Sequence, residues 1–125
     1  MNIPADLRYT PEHEWVRIDG AVATIGVTDY AQGELGDIVF VELPAVNAAT
    51  AQMESFGTIE AVKTVSELFA PLSGTIVEVN AKLGDRAELI NQDPYGEGWL
   101  IKIKWSNKDE FKKLLAAEEY QKQIV

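Results

Sequence analysis

Along most of the chain, apolar and polar residues alternate in short runs broken by turn-forming residues. "EWVRIDGAVATIG" alternates on both sides of Asp19-Gly20, a pair that readily takes the positive φ angles of a two-residue hairpin. It predicts strands over Glu14–Ile18 and Ala21–Ile25. In "TDYAQGELGD" Thr28 is placed to cap a helix and Gly36 to end it, so a short helix is expected near 28–35; Gly33 inside it weakens the case by about 1 kcal/mol. "DIVFVELP" reads as a β-branched strand stopped by Pro44, and further strands are expected at Ser55–Val62, Val65–Ala70, Thr75–Asn80 and Trp99–Lys104. The pattern then changes. After Ser106 and Asn107, either of which can cap, "KDEFKKLLAAEEYQKQI" sets Phe111, Leu114, Leu115 and Tyr120 along one stripe, with Asp109 and Glu110 in the first turn. One C-terminal helix over about 107–122, packed on the sheet, is the expectation.

Within the β-rich part, Gly36–Val41 resembles Gly74–Val79 at an offset of 74 − 36 = 38 residues. Two similar β units joined by a tight hairpin are what a flattened barrel with internal two-fold symmetry would give, although two unrelated β-rich runs would match as well. Lys63 lies between the copies. The fold class is therefore mainly β, with one short helix and one C-terminal helix.

A chain of 125 residues holds one compact domain, expected to span 1–125 with its core in 14–104, and its composition is that of a globular protein. The net charge of 11 − 20 = −9 disfavours nucleic acid and anionic membrane surfaces as partners. No cysteine is present, which removes disulfides, thiolate nucleophiles and thiolate metal sites. No apolar run approaches the roughly 18 residues of a membrane span, and "MNIPADLRYTPEHEW" lacks the form of a signal peptide. A cytosolic or already processed monomer fits.

Enzyme chemistry finds few candidates. His13 is the only histidine, and no nucleophile elbow, phosphate-cradling glycine loop or metal-ligand spacing occurs. Among twenty acidic residues a chance carboxylate pair is common, and a solvated acidic surface is the simpler reading. Lys63 differs. In "TIEAVKTVSELFAP" it sits where the chain turns between two strands, so its stem projects from a rigid base within reach of a modifying enzyme. Acylation would replace its charge by a neutral flexible stalk.

"GTIEAVKTVSELFAPLSGTIVEVN" resembles the lipoylation segment of the glycine cleavage H proteins, and "HEWV", "VATIGVTDYAQGELGDIVFVELP" and "NQDPYGEGWLIKIK" resemble that family's flanking signatures. The resemblance covers almost the whole chain. It implies a fold of the lipoyl-domain type, a flattened β-barrel/sandwich hybrid. Biotin carriers set their lysine between methionines, and the lipoyl domains of 2-oxo acid dehydrogenases lack segments like "HEWV" and "DPYGEGW". Two departures stand out: the family often has glycine where Asn47 stands and another near Met53. Asn tolerates left-handed backbone and Met does so poorly, so a different path is expected for the Met53 loop.

The resemblance implies that lipoic acid is attached to Lys63 by an amide and that the protein is a carrier rather than an enzyme. The implied partners are a pyridoxal-phosphate glycine decarboxylase, a tetrahydrofolate-dependent aminomethyltransferase, a flavin dihydrolipoamide dehydrogenase and lipoate-attaching enzymes. It further implies that the loaded arm folds into a cleft on the carrier. Glu14 and Glu67 would hold the amine of the aminomethyl group there, and Val27 would line the wall. The family more usually has Asp at the position of Glu67. Glu60 resembles the acidic residue read by lipoate-attaching enzymes, and "DPYGEGW" should form a tight loop anchored by Trp99. The compartment implied is a bacterial cytoplasm, or the mitochondrial matrix in a eukaryote. A lipoyl-relay scaffold, a paralogue serving other enzymes and an unmodified acidic interaction domain are the rival readings.

Overall fold

The computed structural model describes residues 2–124. Strand β1 (Arg8–Tyr9) is followed by the hairpin β2 (Glu14–Asp19) and β3 (Val22–Val27), whose turn places Gly20 at φ 61°. Helix α1 (Asp29–Leu35) follows at once. The Thr28 hydroxyl accepts from the Ala31 amide, and Gly36 closes the helix at φ 83°, so both predicted caps are used. Then come β4 (Ile38–Glu42), β5 (Ala49–Thr50), β6 (Ser55–Ala61), β7 (Val65–Phe69) and β8 (Gly74–Val79). A 3-10 turn at Ala81–Gly84 and helix α2 (Leu89–Gln92) lead to β9 (Ile101–Trp105).

These strands form two open antiparallel sheets, one of seven strands in the order β10-β1-β2-β3-β9-β8-β5, where β10 is Leu115–Ala116, and one of three in the order β4-β6-β7. The main core lies between them, with Val16, Ile25, Ile38, Ile59, Leu68, Ile76 and Ile103 all buried. A second cluster of Leu7, Tyr9, Trp15 and Tyr120 fills the other face of β2. Trp15 is fully buried and donates its indole N–H to the Pro94 carbonyl at 3.0 Å. Truncating such a ring typically costs about 3 to 5 kcal/mol. Gly26 lies flat beneath it, where a Cβ would strike the indole.

The 38-residue recurrence is structural. Gly36–Val41 supplies β4 and Gly74–Val79 supplies β8, one copy in each sheet. Both pairings shift register at the equivalent place, between Ile38 and Phe40 and between Ile76 and Glu78. The isoleucine before each shift is buried and the valine within it, Val39 or Val77, is exposed. A bulge of this kind adds twist and bends a strand over the core.

Three expectations are corrected. The single helix over about 107–122 is instead α3 (Lys108–Lys112), strand β10 and α4 (Ala117–Ile124). Leu115 and Ala116 pair with Tyr9 and Arg8, and that pairing extends the backbone where a helix would have continued. Asn107 does cap α3, accepting from the Asp109 and Glu110 amides. Met53 takes left-handed backbone after all, at φ 64°, with its amide bonded to the Ala70 carbonyl at 2.6 Å; Asn47 does the same at φ 78°. Tertiary hydrogen bonding outweighs the local preference there. Trp99 precedes β9 instead of opening it, half-buried against the second cluster, while Leu100 enters the main core.

Candidate functional site

Two short strands with a firm register carry Lys63. Glu60 pairs with Val65, the Ala61 amide donates to the Thr64 carbonyl at 2.8 Å, and the Val62 amide donates to the Asp37 carbonyl at 3.0 Å. The turn is thus tied to its own hairpin and to the start of β4. Its side chains face water: Val62 is 76% and Val65 61% exposed, and Lys63 is exposed between them. The lysine stem passes over Gly36, where an added Cβ would lie 3.5 Å from Cε. Among the described residues no carboxylate pairs with its ammonium.

A cleft of about 150 Å³ opens beside this hairpin, between α1, the ends of β2 and β3, and the sheet edge at β7. All three residues assigned to it line it: Glu14, Val27 and Glu67. Glu14 and Val27 are cross-strand neighbours, and Glu67 faces them from β7. The floor is apolar, built from Val27, Ala31, Leu35, Ile59 and Leu68, and Glu12 and Glu34 add carboxylates at the rim. Glu60 is outside the cleft. It sits on the exposed face of the three-stranded sheet between Phe40 and Val65, while its neighbours Ile59 and Ala61 point into the core. "DPYGEGW" is a tight loop, with Gly98 packed so closely on the Leu89 and Asp93 carbonyls that a Cβ has no room.

Glu14 is only 1% exposed. Its Oε1 accepts from the Thr10 hydroxyl at 2.6 Å and its Oε2 from the Phe69 amide at 3.2 Å, which ties β2 to β7 across the cleft. Burial raises its pKa from 4.5 to about 8 against the opposing effect of those hydrogen bonds. The group is therefore mostly a neutral carboxyl at neutral pH. A cationic amine placed against it would favour the carboxylate and gain a charge-assisted hydrogen bond.

The residue pattern did not single out His13 for the cleft, yet it lines the wall with φ at 73°. Its signal was its place in "HEWV" beside Glu14. The amide of His13 donates to the Thr10 carbonyl at 3.1 Å, and its carbonyl accepts from the Thr28 amide at 3.0 Å. Those bonds hold the unusual backbone.

A small sandwich of two open sheets, with a free amine raised on a hairpin next to a cleft, is the frame of a lipoyl-type carrier domain. Residues 7–125 match the family model described as Glycine cleavage H-protein. The chain is 56% identical to the glycine cleavage system H protein of Geobacillus kaustophilus, over 99% of this chain and 98% of that one. It is 50% identical to that of Staphylococcus carnosus over the same shares. A crystal structure of a glycine cleavage system H protein from Mycobacterium marinum superposes with a TM-score of 0.89 at 42% identity, covering 98% of each chain. The chain belongs to the glycine cleavage H-protein family, the lipoyl carriers of glycine cleavage.

Proposed function

We propose that this chain carries lipoic acid in amide linkage on Lys63. On that arm it moves the aminomethyl group of glycine from a glycine decarboxylase to a tetrahydrofolate-dependent aminomethyltransferase, and then meets a flavin dihydrolipoamide dehydrogenase. The observation that carries this reading is the exposed Lys63 amine at the apex of a hairpin tied to its own strands and to the start of β4, free of any ion pair among the described residues. The residues fit the group: an amine accessible to an attaching enzyme, and an apolar-floored cleft beside it for an acyl tail. When attached, the lipoyl group supplies a reducible disulfide on a flexible stalk.

The chain's own residues do the rest. The rigid hairpin keeps the stalk near whichever enzyme has docked, which raises the effective concentration of the carried group without new contacts. Val27, Leu35 and Leu68 exclude water from the cleft, and Glu14, as the carboxylate that a cationic cargo favours, accepts hydrogen bonds from its amine, with Glu67 facing it. Glu60, exposed three residues before Lys63, is available to a lipoate-attaching enzyme as a recognition residue. The bacterial relatives support a bacterial cytoplasm as the compartment over the mitochondrial matrix.

Intact mass tests the attachment. A lipoyl increment confined to the peptide containing Lys63, and absent in Lys63→Ala, is the expected result; an unmodified native chain purified from its own cell refutes it. Loss of glycine-dependent carbon dioxide exchange in Lys63→Ala then distinguishes glycine cleavage from a relay to other enzymes.

A further inference from the structure

His13 has a hydrogen-bond partner whose direction can be worked out. Its Nδ1 lies 2.8 Å from the Tyr120 hydroxyl, and that hydroxyl lies 2.7 Å from the Thr28 hydroxyl. Thr28 is fully buried and already accepts the Ala31 amide as the cap of α1. Its own proton needs an acceptor, and among the described residues Tyr120 is the one within reach. Thr28 therefore donates to Tyr120, Tyr120 donates to His13, and Nδ1 must be a bare acceptor. The opposite order would strand a buried hydroxyl proton.

From this order we infer that Tyr120 is a positioning residue that fixes His13 as the neutral Nε2–H tautomer. His13 thus offers a hydrogen-bond donor to the guest of the cleft, next to the Glu14 carboxyl. The guest recognised is an acyl chain with a cationic amine for Glu14 and an acceptor atom, carbonyl or sulfur, for His13. Nε2 has no protein partner among the described residues, and His13 is one of the residues that line the cleft, its ring packed against Tyr30 at 4.9 Å between centroids and edge-on to Tyr120 at 5.7 Å. Tyr120 is itself immobile: fully buried, it stacks on Tyr9 at 4.8 Å with planes 7° apart. Burial lowers the pKa of His13 although the carboxylates of Glu12 and Glu34 pull it up, so the neutral form is favoured. Helix α4 thereby reaches the cleft through one hydroxyl.

The role of this donor in guest binding rests on the carrier reading, but the tautomer does not, and the experiment separates them. In the full-length unmodified chain with ¹⁵N-labelled histidine, native His13 is expected to show the Nε2–H pattern and Tyr120→Phe a mixture of tautomers. A native Nδ1–H pattern, or no change in Tyr120→Phe, overturns the inference. In the lipoylated chain, Tyr120→Phe and His13→Phe should each shorten the lifetime of the loaded carrier about 3- to 10-fold, the effect of one lost hydrogen bond. The double variant should be no worse than His13→Phe, because Tyr120 acts through His13. Additive losses, or an unchanged lifetime in His13→Phe, overturn the donor role. A native chain lacking the lipoyl increment overturns the carrier reading while the NMR result stands.

Discussion

Replacing Glu14 by Gln should reverse the sign of its effect on stability between acid and alkaline pH. The folded-state pKa is about 8 against an ordinary value of 4.5. Between those values the folded chain holds a proton that the unfolded chain has released, so raising the pH favours unfolding by up to about 1.4 kcal/mol per unit. The stability that the neutral carboxyl retains is fully present below pH 4.5 and lost as the pH rises through 8. From pH 5 to pH 8.5 the loss integrates to about 3 to 4 kcal/mol. Gln cannot titrate, but the two carboxyl oxygens face two donors, the Thr10 hydroxyl and the Phe69 amide; the hydroxyl oxygen of the neutral carboxyl keeps a lone pair for one of them, and an amide nitrogen has none. Glu14→Gln should therefore be about 1 kcal/mol less stable than the native chain at pH 5 and about 2 to 3 kcal/mol more stable at pH 8.5. Urea unfolding of both chains across this range measures the difference, in which the other titrating groups cancel. A difference that stays constant with pH would show that Glu14 ionises normally and that the cleft does not desolvate it.

Met53→Gly should stabilise the protein by about 1 kcal/mol, because φ at 64° strains a side chain that packs little and suits glycine; a lower Tm would place the strain elsewhere. Gly57→Ala should cost about 2 kcal/mol or more, since its Cβ would collide with the Glu42 carbonyl on β4. Urea midpoints check this, and a neutral result would mean that the β4–β6 ladder yields without cost. Lys63→Ala should leave the thermal midpoint within the range of ordinary surface changes, about 0.5 kcal/mol, given an exposed side chain with no ion pair among the described residues.

The strands that span the core were legible because period-2 alternation and β-branched runs persist over five or more residues in β2, β3, β4 and β6–β9. Helix α1 was legible from its two caps. Strands β1, β5 and β10 are two residues each, too short to show any period, and exist only through their partners. The same pairing divided the C-terminal segment: Leu114 turns to the main core and Tyr120 to the second cluster, which one continuous stripe could not serve. Lys63 could be read because a turn residue between two apolar runs is a local feature. The burial of Glu14 could not, since Glu14, Trp15 and Val16 are all buried; the sheet is covered on both faces there and alternation vanishes. Nor could His13 be read, because its tautomer depends on a hydroxyl 107 residues away.

The matching bulges in β4 and β8 imply two equivalent three-strand units, one with β6 at its centre and one with β9. In each, the strand bearing the repeat lies on one side of the centre. The third position differs: β7 takes it beside β6, and β3 takes it beside β9. The cleft is bounded by these two third strands, with Glu67 and Leu68 from β7 and Val27 from β3. Glu14 spans them, since its strand pairs with β3 and its carboxyl accepts the Phe69 amide of β7. The repeated halves thus build the rigid base, and the cleft opens where their symmetry breaks. The lysine hairpin belongs to one half alone, so a frame built from two similar units presents one exposed lysine turn and one cleft beside it.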